Sequence, residues 1–382
     1  MRVLVVHNRY RVEGGEERAV ELQLAAFRRA GVEHALLERD SAALSRPAAA
    51  RALLRGGRDE NDVAAAASAL EADVVHVHNM QPLFGPRALA AARAAGAAVV
   101  LHLHNLRLFC AIGVAARDGG PCFRCHHRFT LPGLVLNCRG SLPEAALYAA
   151  ALARQQPAVV HAAERFLVPS RYAAGQVANL GLPAERVEVL PHYLPAEAFA
   201  ERSRAADGRY ALVAGRLSPE KGIDTAIDAA ALAGVPLRIA GEGPAAVDLA
   251  ARAARTMSRV DFLGRLDRAG LERELAGAAM LLMPSRYHEF AGFAALEAMA
   301  AGVPVLVSAL GAPPELAGPK QCVPPNNPSV LARRIRELWK SPQRREGVGN
   351  ELLGRARRNH AEDAHVRELL AVYESVLARS RR

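Results

Sequence analysis

Short apolar runs alternate along the chain with longer Ala-rich stretches whose polar residues recur at helical spacing. In the first half the runs RVLVV, VEHALLE, DVVHVH, AAVVLHLH, RFLVPS and VEVLP predict strands, with helices between them. The second half repeats the pattern with YALVAG, PLRIAG, RVDFLG, MLLMPS, PVLVS and a weaker QCVP. Strands that are apolar on both faces and separated by helices belong to parallel sheets covered on both sides. The pattern therefore predicts an α/β protein with two Rossmann-like domains, and 382 residues are too many for one ordinary core. Pro and charged residues cluster at 191–208, which predicts a hinge between a domain at 1–190 and one at 209–358, followed by a last helix in 359–382. Ligands of such sheets bind at the C-terminal strand edges, so the expected active site is the cleft between the two domains.

Residues 289–297 read EFAGFAALE, two glutamates eight positions apart at the entrance of a helix-prone segment that stops at Gly302. MLLMPS before it reads as a buried strand, which puts Glu289 in the connecting loop and Glu297 in the first turns of the helix. Gly292 permits close backbone approach, and the N–H groups of Phe293 and Ala294 would point at an anion beyond the helix start. A phosphate site flanked by carboxylates suits a diphosphate-linked sugar nucleotide, with hydroxyls on either side. Two glutamates on the solvent face of an ordinary amphipathic helix are the alternative.

A second motif favours the phosphate reading. YALVAGRLSPEKGI at 210–223 is a strand ending in glycine, followed by Arg216 and Lys221, a fork and a point charge suited to a diphosphate. Lysine is scarce in this chain, occurring only at Lys221, Lys320 and Lys340, so its retention in this loop is notable.

Taken in order, AGRLSPEKG, GEGP at 241–244, FLGR at 262–265, MPSR and EFAGFAALEAMAAGVPV resemble the donor half of glycosyltransferase family 4. GGEERAV at 14–20, DVVHVHN at 73–79 and LHLHN at 101–105 resemble its N-terminal half. Ala291 departs from the aromatic or bulky residue usual in that family, and LPHYLP at 190–195 from its usual hinge turn. The resemblance implies a GT-B fold, two Rossmann-like domains facing across a cleft, with the last helix crossing back to the first domain. It also implies retaining, metal-independent transfer of a hexose-type sugar from a UDP- or GDP-sugar to a glycan or lipid-linked acceptor, in cell-surface polysaccharide or glycoconjugate synthesis. Glu289, His104, Arg216 and Lys221 take catalytic positions by this match; Gly14, Gly15, Gly241, Gly243, Leu263, Gly292, Phe293, Ala294 and Glu297 join the donor site. Structural roles are expected of His76 and His78. A sugar-nucleotide epimerase of the same architecture and a non-catalytic sugar-nucleotide or polyanion-binding protein are the competing readings. A glycosidase fits poorly, because eight helical residues rise about 12 Å whereas a retaining hydrolase pair sits about 5 Å apart.

Four of the five cysteines, Cys110, Cys122, Cys125 and Cys138, are spaced C-x11-C-x2-C-x12-C within an expected insertion at 105–140. Two thiolates two residues apart plus two distant ones can surround a tetrahedral ion, so structural zinc is expected. An iron–sulfur cluster or reduced thiols are the other readings, with His126 or His127 able to replace a ligand. A subset of family 4 carries a similar insertion. Cys322 stands apart as an ordinary thiol.

Charge adds less. A net charge of +10 without basic–aromatic interleaving gives no reason to expect nucleic acid. In SAALSRPAAARALLRGGR at 41–58, Arg51, Arg55 and Arg58 share a predicted helical face beside Leu53 and Leu54. Such a face suits an anionic membrane surface, with solvated arginines as the alternative. MRVLVVHN reads as a strand rather than a signal peptide, and no run is long enough to span a membrane. A cytoplasmic protein is expected, at the inner membrane face if that helix docks.

Overall fold

The computed structural model describes residues 1–10, 14–256 and 259–380; residues 11–13 of the expected 1–190 domain and 381–382 of the expected last segment lie outside the described residues. The chain divides into two compact units: Met1–Ala115 with Cys122–His192 and Asp363–Arg382, and Ala116–Pro121 with Tyr193–Glu362.

In the first unit β1 (Arg2–Arg9), β2 (Glu33–Asp40), β3 (Val74–Val77) and β4 (Ala98–His102) precede a short hairpin, β5 (Ala116–Arg117) and β6 (Gly120–Pro121). After it come β7 (Arg165–Val168) and β8 (Val187–Val189), and the parallel sheet has the order β2-β1-β3-β4-β7-β8. The inner strands β3, β4 and β7 are buried at every position, while the edge strands β2 and β8 expose alternate or all residues. Helices α1 (Gly15–Ala30), α2 (Arg46–Arg55), α3 (Glu60–Leu70), α4 (Gly85–Ala94), α5 (Leu131–Val135), α6 (Leu142–Ala162) and α7 (Arg171–Asn179) make the connections.

The second unit has β9 (Tyr210–Ala214), β10 (Leu237–Ala240), β11 (Val260–Gly264), β12 (Ala278–Met283), β13 (Val305–Ser308) and β14 (Cys322–Val323). Their order is β11-β10-β9-β12-β13-β14, the doubly wound arrangement in which the winding reverses between β9 and β12. Helices α8 (Ile223–Ala233), α9 (Ala246–Ala253), α10 (Arg268–Gly277), α11 (Phe293–Ala300), α12 (Pro313–Ala317), α13 (Pro328–Trp339) and α14 (Pro342–Asn359) cover it. All twelve apolar runs thus form sheet strands, those of the inner positions buried on both faces. The final helix α15 (Glu362–Ser380) belongs to the first unit, where Leu369, Val372, Tyr373 and Val376 close the core around Val3, Phe27, Val74 and Leu190.

Three boundaries differ from the sequence expectation. Tyr193 onward already packs with the second unit, since Ala200 N–H donates to Ala300 O at 2.8 Å and Ser203 Oγ to Gly302 O at 2.5 Å; most of the expected hinge is therefore anchored structure. Residues 116–121, inside the expected 105–140 insertion, also belong to the second unit, where Gly119 O accepts from Asn326 Nδ2 at 3.3 Å. The return to the first unit comes at Asp363 rather than 359, because the Leu194 N–H to His360 O bond, 3.0 Å, keeps the end of α14 with the second unit. The expected basic face is also altered. Leu53 is buried, Arg58 lies beyond the left-handed Gly56 that ends α2, and of the expected face Arg51, Leu54 and Arg55 are exposed on the helix.

Ile227 on α8 is fully buried among Val213, Leu237 and Ile335 in the second core. Ile227→Ala should lower the unfolding free energy of that unit by about 2–5 kcal/mol, read as a reduced urea midpoint at unchanged slope.

Candidate functional site

In the second unit the loops after β9 and β12 leave adjacent parallel strands at the winding reversal, where open α/β sheets form their ligand crevice. Backbone contact locks these loops together. Gly222, at φ +64°, has Pro284 O 2.1 Å from where a Cβ would stand, so only glycine permits this approach. The turn after β10 is fitted the same way: a Cβ on Gly241 would meet Gly215 O at 1.9 Å, and one on Gly243 would meet Leu217 O at 2.3 Å. Gly241 and Gly243 thus shape the loop that carries Arg216, and Leu263, half-buried on β11, lies one strand further along the sheet.

The side chains meet accordingly. Lys221 Nζ donates to Glu289 Oε1 at 2.7 Å and to Tyr287 Oη at 3.0 Å. Glu289 also accepts from Ser285 Oγ at 2.7 Å and from Tyr287 Oη at 2.5 Å. Burial disfavours both charges, yet each compensates the other. Burial opposes the Lys221 ammonium, but Glu289 and Tyr287 hold its pKa above the usual lysine range. Burial likewise opposes the Glu289 carboxylate, but Lys221 and the Tyr287 and Ser285 hydroxyls hold its pKa below the usual range. Arg216, exposed at the loop tip, pairs with Glu220 at 2.6 Å. Sequence reasoning assigned Lys221 to phosphate and Glu289 to sugar; the structure joins them, because a cation held in a desolvated loop needs a counter-charge.

Helix α11 starts directly behind this pair. Gly292 takes a left-handed conformation at its N-cap, Leu296 N–H to Gly292 O makes the first intrahelical bond at 3.1 Å, and Phe293 and Ala294 occupy the opening positions. Helix geometry leaves the first N–H groups without intrahelical acceptors, so this end favours an anion. Glu289 lies in the loop and Glu297 inside the helix. Ser285, Tyr287 and Arg286 escaped the sequence reading. A signal was present, since residues 285, 287 and 289 alternate as on an extended segment whose every second side chain shares a face. Arg286 bonds Asp224 at 2.6 Å and Thr225 at 3.0 Å, tying the β12 loop to α8.

In the first unit Gly14 caps α1 and forms a capping box with Glu17. Glu17 accepts from Gly14 N–H at 2.7 Å and from Tyr10 N–H at 3.1 Å. Glu16, also buried, accepts from Asn105 Nδ2 at 3.2 Å, and Arg107 stacks over the Tyr10 ring at 4.3 Å. Burial first, then the neighbouring Glu17 charge, pushes the Glu16 carboxyl up to about 8, against the lowering effect of Arg107, Tyr10 and Asn105. A perturbed carboxyl of this kind was not foreseen, although GGEE showed two acids at a helix start. His104 is partly exposed; its Nε2 lies 2.9 Å from His78 Nδ1, and burial with nearby histidines keeps its pKa well below the usual value. The neutral imidazole is therefore favoured, with Nε2 against His78 and Nδ1 buried.

Cys110, Cys122, Cys125 and Cys138 are all half-buried residues of the first unit and form no disulfide. Burial raises the Cys110 thiol, while the N–H groups of Ile112, Ala115 and Gly113 aimed at its sulfur act in the other direction. Burial and the charges of the three other cysteines push Cys125 up to about 11. Among the described residues no three of these sulfurs lie within 4.8 Å of one another. The donor set suits zinc, but a closed zinc shell needs the four sulfurs drawn inward.

Comparison with known proteins follows the same division. Residues 3–192 match the glycosyl transferase 4-like domain, and residues 196–352 match glycosyl transferases group 1. A GDP-mannose-dependent alpha-(1-6)-phosphatidylinositol dimannoside mannosyltransferase of Mycobacterium tuberculosis is 41% identical over 138 residues, 34% of this chain and 35% of that protein. The D-rhamnosyltransferase WbpZ of Pseudomonas aeruginosa is 30% identical over 155 residues, 39% of this chain and 41% of that protein. The chain thus spans well under half the length of these curated relatives. Among solved structures, sucrose-phosphate synthase from Thermosynechococcus elongatus superposes with a TM-score of 0.73 at 17% identity, covering 99% of both chains. Anabaena HepE in complex with UDP-glucose gives 0.68 at 16% identity, covering 98% of this chain and all of that one. At this identity the likeness establishes the fold, which is GT-B.

Two outcomes follow from the charges. Lys221→Met leaves the buried Glu289 without its cation and should destabilise the protein. The expected cost lies below the roughly 3–5 kcal/mol of a fully buried pair, because Lys221 is a quarter exposed. Adding Glu289→Gln should recover much of this loss in urea unfolding. The Glu16 carboxyl has its folded pKa raised from 4.5 to about 8, so its contribution is complete below pH 4.5 and declines as pH rises towards 8. Glu16→Gln should flatten that part of the stability–pH curve, and a curve parallel to wild type across the window would contradict the assignment.

Proposed function

Because the chain belongs to the glycosyltransferases, joining a 4-like domain to a group 1 domain, we propose that it transfers a hexose-type sugar from a UDP- or GDP-sugar to a glycan or lipid-linked acceptor. The observation carrying this reading is the Lys221–Glu289 pair, bridged by Tyr287, with Ser285 donating to Glu289, beside the N-terminus of α11 at the β9/β12 reversal. The names of relatives that use GDP-mannose, and of a structural neighbour holding UDP-glucose, favour a nucleoside-diphosphate sugar as donor.

In this reading the donor diphosphate lies against Gly292, Phe293 and Ala294 at the start of α11, with Lys221 and Arg216 balancing its charge. Glu289 accepts hydrogen bonds from donor-sugar hydroxyls and Glu297 from the ribose, while Gly241, Gly243 and Leu263 frame the nucleoside. In the first unit, His104 is assigned to a donor-sugar hydroxyl and Gly14 and Gly15 to the diphosphate, on motif resemblance. When the bond from the anomeric carbon to the diphosphate oxygen breaks, its electron pair goes to the diphosphate, while the acceptor hydroxyl oxygen bonds to the anomeric carbon and its proton passes to the released diphosphate. The cations and the oriented N–H groups then stabilise the added charge in a desolvated site. The reading includes retention of anomeric configuration, on the resemblance to family 4, by a route without a covalent glycosyl–Glu289 intermediate, since Glu289 is engaged by Lys221 and two hydroxyls.

Two accessory features complete it. Cys110, Cys122, Cys125 and Cys138 would hold a structural zinc that orders their loop and supplies no open coordination position. The exposed Arg51, Leu54 and Arg55 of α2 support contact with an anionic membrane if the acceptor is a lipid. No helix among the described residues is long and apolar enough to cross a membrane.

A panel of UDP- and GDP-sugars, read by released nucleoside diphosphate and by product mass, tests the activity. Transfer to an acceptor supports the proposal; interconversion of the donor alone indicates an epimerase, and binding without product a non-catalytic protein. With the active donor, Glu289→Ala should lower kcat about 100- to 1000-fold at saturating donor, and Arg216→Ala should weaken nucleoside-diphosphate binding in calorimetry. Wild-type turnover in Glu289→Ala would remove that residue from the site.

A further inference from the structure

Six of the thirteen histidines, His7, His76, His78, His102, His104 and His192, collect in the first unit. Strand register explains the gathering. β1, β3 and β4 are neighbours, with Val6 opposite Val77 and Val77 opposite Leu101, so the next residues His7, His78 and His102 stand at one level. Spacing of two residues then places His76 on the face of His78, and His104 on that of His102. Their rings pile together: His76 and His78 are 4.6 Å apart and parallel within 2°, His102 and His104 are 4.2 Å apart, and His78 and His104 are 5.1 Å apart.

Packing alone does not account for these rings. His76, His78 and His102 are 0%, 4% and 2% exposed, and Nε2 of His76, Nε2 of His78 and both nitrogens of His102 have no hydrogen-bond partner. An aromatic residue would fill the same space without leaving buried polar atoms unsatisfied. The opposite nitrogens of two rings are already oriented: His76 Nδ1 lies 2.5 Å from Tyr373 Oη, and His78 Nδ1 lies 2.9 Å from His104 Nε2. A metal-binding histidine is held in this way, with one nitrogen fixed by an outer partner and the other presented to the ion. One ligand nitrogen from each of the three residues lies within 4.8 Å of the other two.

We propose that His76, His78 and His102 form a binding site for a divalent late first-row transition ion, reached from the surface through the partly exposed His104. Three imidazoles select zinc, nickel, cobalt or copper over magnesium and calcium, which take oxygen ligands. Metal–nitrogen bonds of about 2.0–2.1 Å bring tetrahedral ligands to roughly 3.3 Å from one another, so binding requires the rings to close and to turn out of their near-parallel stack, until their in-plane lone pairs meet at the ion. The site is separate from the four cysteines in both sequence and ligand chemistry. Nothing in it depends on the proposed sugar transfer.

Cobalt(II) distinguishes the two sets, because thiolates give intense near-ultraviolet charge-transfer bands and imidazoles give only ligand-field bands. Chelator-stripped full-length protein should bind one Co²⁺ with a nitrogen-type spectrum, and that equivalent should persist in Cys122→Ser/Cys125→Ser. His78→Asn and His102→Asn should each weaken it at least tenfold while melting cooperatively. Unchanged Co²⁺ affinity in both histidine variants would refute the site. Should those variants fail to fold, X-ray absorption on the nickel-loaded wild type decides. A first shell containing imidazole scattering supports the assignment, whereas a sulfur-only shell, or no tightly bound ion, overturns it.

Discussion

Parallel strands cannot be joined by tight turns, so each connection must leave one sheet edge, cross a face as a helix and re-enter at the opposite edge. Both units obey this constraint, and it governs where their chemistry lies. Helices cover the faces with apolar side chains, leaving the C-terminal strand edges as the places where loops can carry polar groups. Arg216 and Lys221 follow β9, Ser285 to Glu289 follow β12, and Gly241 and Gly243 follow β10. In the first unit His78, His104 and Asn105 follow β3 and β4 in the same way. Where the winding reverses between β9 and β12, such sheets form their ligand opening, and Gly222 against Pro284 O and Lys221 against Glu289 hold its two loops together.

Within that opening, the expensive step is keeping charge in a desolvated place. The second unit meets it by pairing: Lys221 with Glu289, Arg216 with Glu220, and Arg286 with Asp224. Each pair also fixes a loop, so electrostatic compensation and loop geometry are one arrangement. Glycines at 222, 241 and 243 make it reachable, because any larger residue would push the loops apart and separate the partners. The first unit solves the same problem differently. There burial favours the neutral forms, protonating Glu16 and deprotonating the stacked histidines, and Tyr373 of the returning last helix reaches His76 at the bottom of the stack.

The sequence by itself determined the repeated strand–helix pattern, because continuous apolar runs leave a strand few places except the interior of a parallel sheet. It also located the loop of Glu289, the helix of Glu297 and the loop of Arg216 and Lys221, since these positions depend on residues close in the chain. Long-range proximity was beyond it. That Lys221 bonds a carboxylate 68 positions away, that residues 116–121 leave the first unit, that Tyr373 touches His76, and that Leu53 turns inwards are consequences of sheet order and helix packing. The histidines show the division most clearly. HVH and LHL reveal shared faces through the period of two, but only the register of β3 and β4 brings His76, His78 and His102 into one buried stack, because register is set by pairing between strands and not along any of them.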